Sequence, residues 1–318
     1  MNDLLIFYAT DVHGSDVCFR KFLNAAKIYE PTHMILGADL SGKVIVPIYK
    51  NGSVWGARYK EADLLLETES EVKALEDRIR AAGAYPYRTS REEIDSLSGD
   101  ENAERELFRR TQLDELKKWI ALADVRLAQA RVPCYAMAGN DDAPNVGDVL
   151  DQSERIVNVD ERVCEIDDSL YMVSLGFSTP TPWKTPREIS EEDYGTRLES
   201  LYERVPGDAT VILNAHDPPI SSGLDRAPLL DDQLNVQYSA DGDVAWADVG
   251  SSAVRAIVER FQPDLALHGH IHESKGRYQI GSTIGFNPGS VYQEGVLQGV
   301  LIRLSKKKGV TDFLFTTG

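Results

Sequence analysis

The sequence predicts an α/β fold built around a mainly parallel β-sheet. Several apolar runs lack polar alternation, which is typical of strands that are buried on both faces. Amphipathic segments with helical spacing separate these runs along the chain. Clusters of Asp, Asn and His follow directly after the runs, at the strand ends where open α/β sheets place their chemistry. We therefore expect the functional side chains to gather at one edge of a sheet.

Composition limits the classes of function that are open to the chain. Its 318 residues are enough for a sizeable core, and we interpret them as a single domain spanning 1–318. A hydrophobic content of 42% and a charged content of 27% are ordinary for a soluble globular protein. The net charge of -17 repels phosphate backbones, which disfavours long nucleic acids and anionic membranes as partners. Phosphate chemistry would need local positive charge, and bound metal cations could supply it.

The cysteines and the N-terminal residues favour a cytoplasmic location. Cys18, Cys134 and Cys164 form no C-x-x-C pair and are odd in number. We expect buried free thiols, as a reducing compartment allows. The run from Met1 to Ala9 has no basic region before it, so it predicts a strand rather than a signal peptide or a membrane span.

The chain opens with a strand–helix–strand unit. The apolar run Leu4–Ala9 predicts a buried strand, and Asp11 and His13 follow it directly. A helix to about Tyr29 then leads to a second strand that ends at Asp39. Because this order forms a βαβ unit, Asp39 is expected beside Asp11 at the same sheet edge. For Asp11, helix capping is the alternative role.

The next segments predict a hairpin followed by a charged helical region. β-rich runs flank the pair Asn51-Gly52, which is a strong hairpin signal. Residues 60–130 show two amphipathic helical faces, with loop signals over 83–100 between them. We interpret 60–130 as a helical insertion within the domain. It could act as a lid, as a dimerisation arm that makes a homo-oligomer, or as a spacer.

The second half of the chain repeats the pattern of an apolar run followed by a polar cluster. One such run precedes Asn140, for which a turn or a helix cap is the alternative role. Further buried strands precede His216 and the pair His270 and His272. Short strands over 155–176 suggest a second sheet, and antiparallel strands are expected at the C-terminal end.

These strand ends supply a set of oxygen and imidazole nitrogen donors without any thiolate. The candidate metal ligands are Asp11, His13, Asp39, Asn140, His216, His270 and His272. Such donors suit Mn²⁺, Fe or Zn²⁺ in an open site rather than a closed structural zinc site. Seven ligands are too many for one tetrahedral ion, and they suit two divalent metal ions that share a carboxylate.

The motif order D-x-H, G-x-D, G-N-x-D, H and G-H-x-H resembles the calcineurin-like metallophosphoesterase superfamily. The resemblance implies a four-layer αββα sandwich of two mixed sheets, like that of the metallo-dependent phosphatases. It implies that one metal is held by Asp11, His13, Asp39 and His272, and the other by Asp39, Asn140, His216 and His270. It further implies hydrolysis of a phosphate ester through a metal-bridging hydroxide, with Asp39, Asn140 and His216 as catalytic residues.

Two departures from the family pattern bear on the substrate. The usual Gly-Asp pair is spaced by one residue, as Gly37-Ala38-Asp39. Many members have His directly after the motif Asn, where this chain has Asp141, a carboxylate that would repel phosphate unless it is protonated or bound to metal. Asp142 matches the motif's closing acid. This pattern resembles the members that favour phosphodiesters, so the expected substrate is a small phosphodiester.

The expected substrate contacts are Asn140, Asp141 and Asn287, although Asn287 could instead only form a turn. The loops over 179–183 and 223–246 are expected to set specificity. One alternative function is a non-catalytic binding scaffold on the same fold, from which missing ligands would be expected. Another is a nuclease, against which the acidic balance of the chain argues.

Overall fold

A computed structural model of the chain describes residues 3–318, so Met1 and Asn2 lie outside the described part. The strands run in the order β1 (Leu4–Ala9), β2 (His33–Leu36), β3 (Ile45–Asn51), β4 (Val54–Tyr59), β5 (Ala62–Leu66), β6 (Tyr85–Ser90), β7 (Cys134–Ala136), β8 (Ile156–Asn158), β9 (Arg162–Asp167), β10 (Leu170–Leu175), β11 (Thr210–Ala215), β12 (Arg226–Pro228), β13 (Trp246–Asp248), β14 (Leu265–Leu267), β15 (Gly276–Ile280), β16 (Thr283–Asn287), β17 (Gln298–Ser305) and β18 (Gly309–Thr317). The helices are α1 (Asp16–Ile28), α2 (Glu69–Ala81), α3 (Arg91–Leu97), α4 (Glu101–Ala130), α5 (Val146–Leu150), α6 (Glu191–Tyr202) and α7 (Ser252–Phe261).

Two mixed sheets form the centre of the molecule. The first has the order β18-β17-β1-β2-β7-β8, in which β1, β2, β7 and β8 run parallel. The second has the order β15-β16-β14-β11-β10-β9, in which β10, β11, β14 and β16 run parallel. The predicted βαβ unit is confirmed, since β1 and β2 pair in parallel around α1. Each sheet therefore has four parallel strands whose carboxyl ends share one edge.

Three apolar layers hold the sheets and helices together. Side chains such as Ile6 and Ile35 from the first sheet pack against Ile212 and Leu267 from the second. Buried residues of α1, α4 and α5 cover the outer face of the first sheet. Those of α6 and α7 cover the outer face of the second. Burial of apolar area, worth about 25 cal/mol per Å², drives this packing, and the predicted four-layer αββα sandwich is confirmed.

The segment 60–130 is not purely helical, which corrects the prediction for its elements. The hairpin at Asn51-Gly52 is confirmed, with Asn51 opposite Val54. Beyond it, β5 and β6 complete a four-stranded sheet in the order β5-β4-β3-β6, which packs on α2. The loop predicted over 83–100 contains β6 and α3. The sequence of β6 lacks a clear alternation of apolar and polar residues. Its parallel partner β3 is distant in the chain, so no local signal predicts this strand.

The long helix α4 forms part of the main core. Its buried residues include Leu116, Trp119 and Ile120, which join the apolar cluster beneath the first sheet. The Trp119 ring stacks on Phe19 of α1, with ring centroids 4.3 Å apart and an angle of 4° between the planes. The second half of α4 is therefore a structural layer of the sandwich.

Cys18 and Cys134 are buried, Cys164 is half-buried, and all three are free thiols. Within residues 3–318, none of the helices combines the length and the apolarity that crossing a bilayer requires.

Candidate metal centre

The structure brings all seven predicted ligands to one rim of the sandwich. Asp11 and His13 follow β1, Asp39 follows β2, and Asn140 follows β7, all in the first sheet. The remaining histidines follow β11 and β14 of the second sheet. The carboxyl ends of both sets of parallel strands therefore meet here, and the site spans the two sheets.

The donor atoms fall into two adjacent groups. Those of Asp11, His13 and His272 lie within 4.8 Å of one another, and so do those of Asp39, His216 and His270. Asp39 faces both groups, because its Oδ2 lies 3.3 Å from His216 Nε2 and 3.7 Å from His13 Nε2.

Asn140 belongs to the second group. Its Oδ1 lies 2.9 Å from His216 Nε2 and 3.0 Å from His270 Nδ1. Its Nδ2 donates to Thr185 Oγ1 at 2.9 Å, which fixes the orientation of the amide and points the oxygen at the two imidazoles.

Four of these residues have left-handed backbone conformations that side chains rarely adopt. The φ angles are 53° at Asp11, 38° at His13, 57° at Asp39 and 65° at His270. Each such residue costs on the order of 1 kcal/mol, and strain of this kind clusters at functional sites. The surroundings hold it in place, since Asp11 N donates to Ala38 O and His13 N to Asp39 O, both at 3.0 Å. The extra residue in Gly37-Ala38-Asp39 is thus accommodated by pairing of the two loops.

Two motif glycines are required because the carboxylates press against the backbone. A Cβ at Gly139 would lie 2.0 Å from Asp39 Oδ1, and one at Gly269 would lie 2.2 Å from Asp11 Oδ2. These distances are far inside van der Waals contact. The Gly-Asn and Gly-His pairs of the motifs therefore leave room for the two acids.

Asp142 ties the loop after β7 to the loop after β2. Its carboxylate accepts from the backbone N–H groups of Leu40 at 3.0 Å, Ser41 at 2.7 Å and Gly139 at 2.7 Å. Burial, together with the charge of Asp39, raises the pKa of Asp142 to about 6. The closing acid of the motif thus connects two loops through hydrogen bonds and does not act as a ligand.

The buried charges of the centre call for cations. Asp11 and Asp39 are each 1% exposed. Burial alone would raise the pKa of Asp39, but the charge of His216 holds it well below its usual value. Burial lowers the pKa of His216, yet Asp39 raises it overall to about 9. The charge of His216 thus favours the ionised form of Asp39.

The facing imidazoles also favour bound cations. His13 Nε2 and His272 Nε2 lie 3.0 Å apart, and His13 Nδ1 has no hydrogen-bond partner within residues 3–318. Imidazole and carboxylate donors converging on one buried space are the ligands that divalent transition metals prefer. The residues present therefore fit bound divalent metal ions.

Asp217 is a site residue that the sequence analysis did not single out. Its Oδ2 accepts from Thr179 N at 2.8 Å and from Thr179 Oγ1 at 2.9 Å. Its Oδ1 is buried, has no hydrogen-bond partner within residues 3–318, and lies 3.7 Å from His270 Nε2. The signal available was its place directly after His216. The geometry suits a carboxylate that orients a ligating imidazole.

Lys43 is a second residue missed from the sequence, and it changes the account of Asp141. Asp141 Oδ2 lies 2.5 Å from Lys43 Nζ, at the wall of a cleft above the donor atoms. Burial and the charge of Asp39 raise the pKa of Asp141, while Lys43 lowers it. The ammonium group therefore offsets the carboxylate that was expected to repel phosphate. No motif marks Lys43, because its role depends on contact with a residue far along the chain.

Asn287 is used in holding the loop rather than in lining the cleft. Its Nδ2 donates to Gly269 O at 3.3 Å and to Ile271 O at 2.8 Å, and its Oδ1 accepts from Gly289 N at 2.8 Å. Of its two predicted roles, these contacts match turn formation, which positions the segment between His270 and His272.

An open cleft of about 520 Å³ lies over the centre. Thr181 and Trp183 of the loop over 179–183 line it, as does Phe108 of α4, and the Trp183 side chain is exposed. Within residues 3–318, no residue of the loop over 223–246 lines this cleft. Donor atoms at the floor of a solvent-reachable cleft can meet a small substrate directly.

Comparison with known proteins supports the fold. No protein-family model matches the sequence. The uncharacterized protein MJ1162 of Methanocaldococcus jannaschii is 32% identical over 152 residues, which span 47% of this chain and 61% of that protein. One solved crystal structure matches with a TM-score of 0.60 at 15% identity, covering 99% of this chain and 98% of its own. TT1561 of Thermus thermophilus matches with a TM-score of 0.53 at 15% identity, covering 100% of this chain and 99% of its own.

Both structural matches extend over the whole sandwich, and the Asp and His motifs converge where its parallel strands end. The chain thus has a metallo-dependent phosphatase-like fold.

Proposed function

We propose that this protein is a metal-dependent phosphoesterase, a hydrolase whose substrate is a small phosphodiester. The observation that carries the proposal is the convergence of two buried carboxylates with four imidazoles and one amide at the floor of an open cleft. A structural metal site would be closed, whereas this arrangement leaves room for a substrate.

The ligand sets follow the two geometric groups. Asp11, His13 and His272 would hold one ion, and Asn140, His216 and His270 the other, with Asp39 shared between them. The ions would be Mn²⁺, Fe or Zn²⁺. When bound, such a pair of cations lowers the pKa of water and offsets the charge of a phosphate ester.

The protein's own groups would orient the phosphate ester. Lys43 places an ammonium group at the cleft wall, where it can face a phosphate oxygen. Asn140 is fixed by Thr185 and keeps its amide in one orientation beside the phosphate position. Since Asp141 is paired with Lys43, it is poorly placed to protonate a leaving group. This supports a diester with a good leaving group over a simple monoester.

The ligand assignment is tested by the variant Asp39→Asn, with Asp208→Asn as an exposed control. Turnover of a generic diester and a generic monoester would be measured after loading with Mn²⁺, Fe²⁺ or Zn²⁺. We expect Asp39→Asn to lower turnover by about a hundredfold or more, while the control stays at the wild-type level. Wild-type turnover in Asp39→Asn would reject the two-metal assignment.

Preference for the diester is a separate outcome of the same assay. A higher kcat/KM for the monoester would overturn the substrate class and leave the metal assignment standing.

A further inference from the structure

We infer that a basic trough beside the metal centre binds a second anionic group of the substrate, such as a second phosphate. The trough is the groove of about 410 Å³ between Tyr292 and Gln293 on one side and the four-stranded sheet on the other, and its cationic lining residues are Lys43, Arg58 and Lys60. This inference rests on the proposed function and narrows its substrate to phosphoesters that carry another anion.

The charge of the trough is opposite to that of the molecule. The chain has 51 acidic and 34 basic residues, yet the lining of the trough holds three cations and, among the described residues, no carboxylate side chain. Within residues 3–318, neither Arg58 nor Lys60 forms a salt bridge with a carboxylate, whereas Lys43 is paired with Asp141. A local positive surface on a strongly acidic protein attracts small anions to that place.

The trough adjoins the cleft over the metal centre. Lys43 lines both spaces. Tyr292 forms the opposite wall, and its ring centroid lies 4.7 Å from that of the ligand His13. An anionic group in the trough and a phosphate at the metal centre could therefore belong to one small molecule.

The four-stranded sheet holds the outer cations in place. Arg58 lies on β4, and Lys60 lies in the two-residue turn to β5, where Lys60 and Glu61 have φ angles of 49° and 64°. Positive φ at both positions is the mark of a tight hairpin turn, which fixes where the Lys60 side chain leaves the backbone. Lys60 Nζ also lies 5.7 Å from the centroid of the Tyr59 ring. Lys60, at the start of the segment for which the sequence allowed a lid, an arm or a spacer, would thus contribute to specificity.

The proposal is tested by calorimetric binding to the metal-loaded, full-length protein. The probes are alkanediol bisphosphates of increasing chain length, each compared with the alkyl monophosphate of the same length. The test variant is Arg58→Gln/Lys60→Gln, and the control Lys50→Gln/Lys73→Gln removes two exposed cations, on β3 and α2, that do not line the trough.

We expect at least one bisphosphate to bind about tenfold more tightly than its monophosphate in the wild type and in the control. The test variant should lose this advantage and bind monophosphate as before. The proposal is overturned if bisphosphates and monophosphates bind the wild type equally. It is also overturned if the test variant still binds the bisphosphate more tightly than its monophosphate. Because the readout is binding, it decides whether the trough holds an anion even if turnover shows that the proposed function is wrong.

Discussion

The backbone of Gly139 lies directly against the carboxylate of Asp39, so that a side chain at position 139 would overlap Asp39 Oδ1. Asp39, which faces both groups of donor atoms, therefore fits in its position only because residue 139 has no side chain.

Gly139→Ala should consequently displace Asp39. We expect metal affinity and diester turnover to fall by about tenfold or more, since misplaced ligands typically cost that much. The control is Gly195→Ala in α6, where a Cβ would meet Ala253 at an ordinary 3.6 Å. That variant should keep metal binding and gain about 0.5–1 kcal/mol of stability, as Ala replaces Gly inside a helix. Titration with Mn²⁺ and urea unfolding measure both effects, and normal metal affinity in Gly139→Ala would contradict the argument.

Asp217→Asn tests whether the unpaired Asp217 oxygen orients His270. The amide has nearly the same shape but lacks the charge that favours the imidazole as a metal ligand. We expect the metal concentration for half-maximal turnover to rise about tenfold, with turnover recovering at saturating metal. Asp208→Asn serves as the matched exposed control. A fall in turnover that excess metal does not restore would assign Asp217 a different role.

Asp141→His introduces the residue that the calcineurin-like family pattern, which the motifs of this chain resemble, often has after the motif Asn. It removes the partner of Lys43 and adds a group that can donate a proton near neutral pH. We expect the rate ratio of monoester to diester to increase by about tenfold. The measurement is this rate ratio for series of monoesters and diesters whose leaving groups differ in basicity. An unchanged ratio would show that the lack of this His does not set the substrate preference.

Trp119→Ala probes the contribution of α4 to the core. Trp119 is 6% exposed and stacks on Phe19, so its truncation should cost about 3–5 kcal/mol of unfolding free energy. Val125→Ala on the same helix removes a side chain that is 59% exposed and should cost under about 0.5 kcal/mol. Urea unfolding compares the two. Equal costs would mean that α4 is peripheral to the core.

His33 should make stability depend on pH. It is buried at the start of β2, with Nε2 3.1 Å from Ile166 O, and burial lowers its pKa below the usual 6.5. The unfolded chain therefore takes up the proton first as the pH falls. The stability that neutral His33 contributes is complete above about pH 6.5 and is lost as the pH drops below it.

The measurement compares wild type with His33→Gln by urea unfolding between about pH 7.5 and pH 5. The wild type should lose more unfolding free energy over this range than the variant. Parallel curves would remove His33 as a source of the dependence.

The layers of the fold and the convergence of the candidate metal ligands were predictable because their signals are local. An apolar run followed by Asp, Asn or His marks the end of a buried strand, and parallel strands bring their carboxyl ends to one edge. Asp11, Asp39 and His216 could therefore be placed together from the sequence alone. Even the spacing of Gly37 from Asp39 left this prediction intact, because the paired loops absorb the extra residue.

Tertiary structure alone decided the partners of the remaining groups. The contact of Lys43 with Asp141, the aim of Asp217 at His270 and the pairing of β6 with β3 join residues distant in the chain. Such contacts depend on how the layers pack. Periodicity in the sequence shows which face of an element is buried, but it does not show which distant residue that face contacts. The motifs thus specified which atoms could bind metal, whereas the charges around the cleft were set only when the separate segments met.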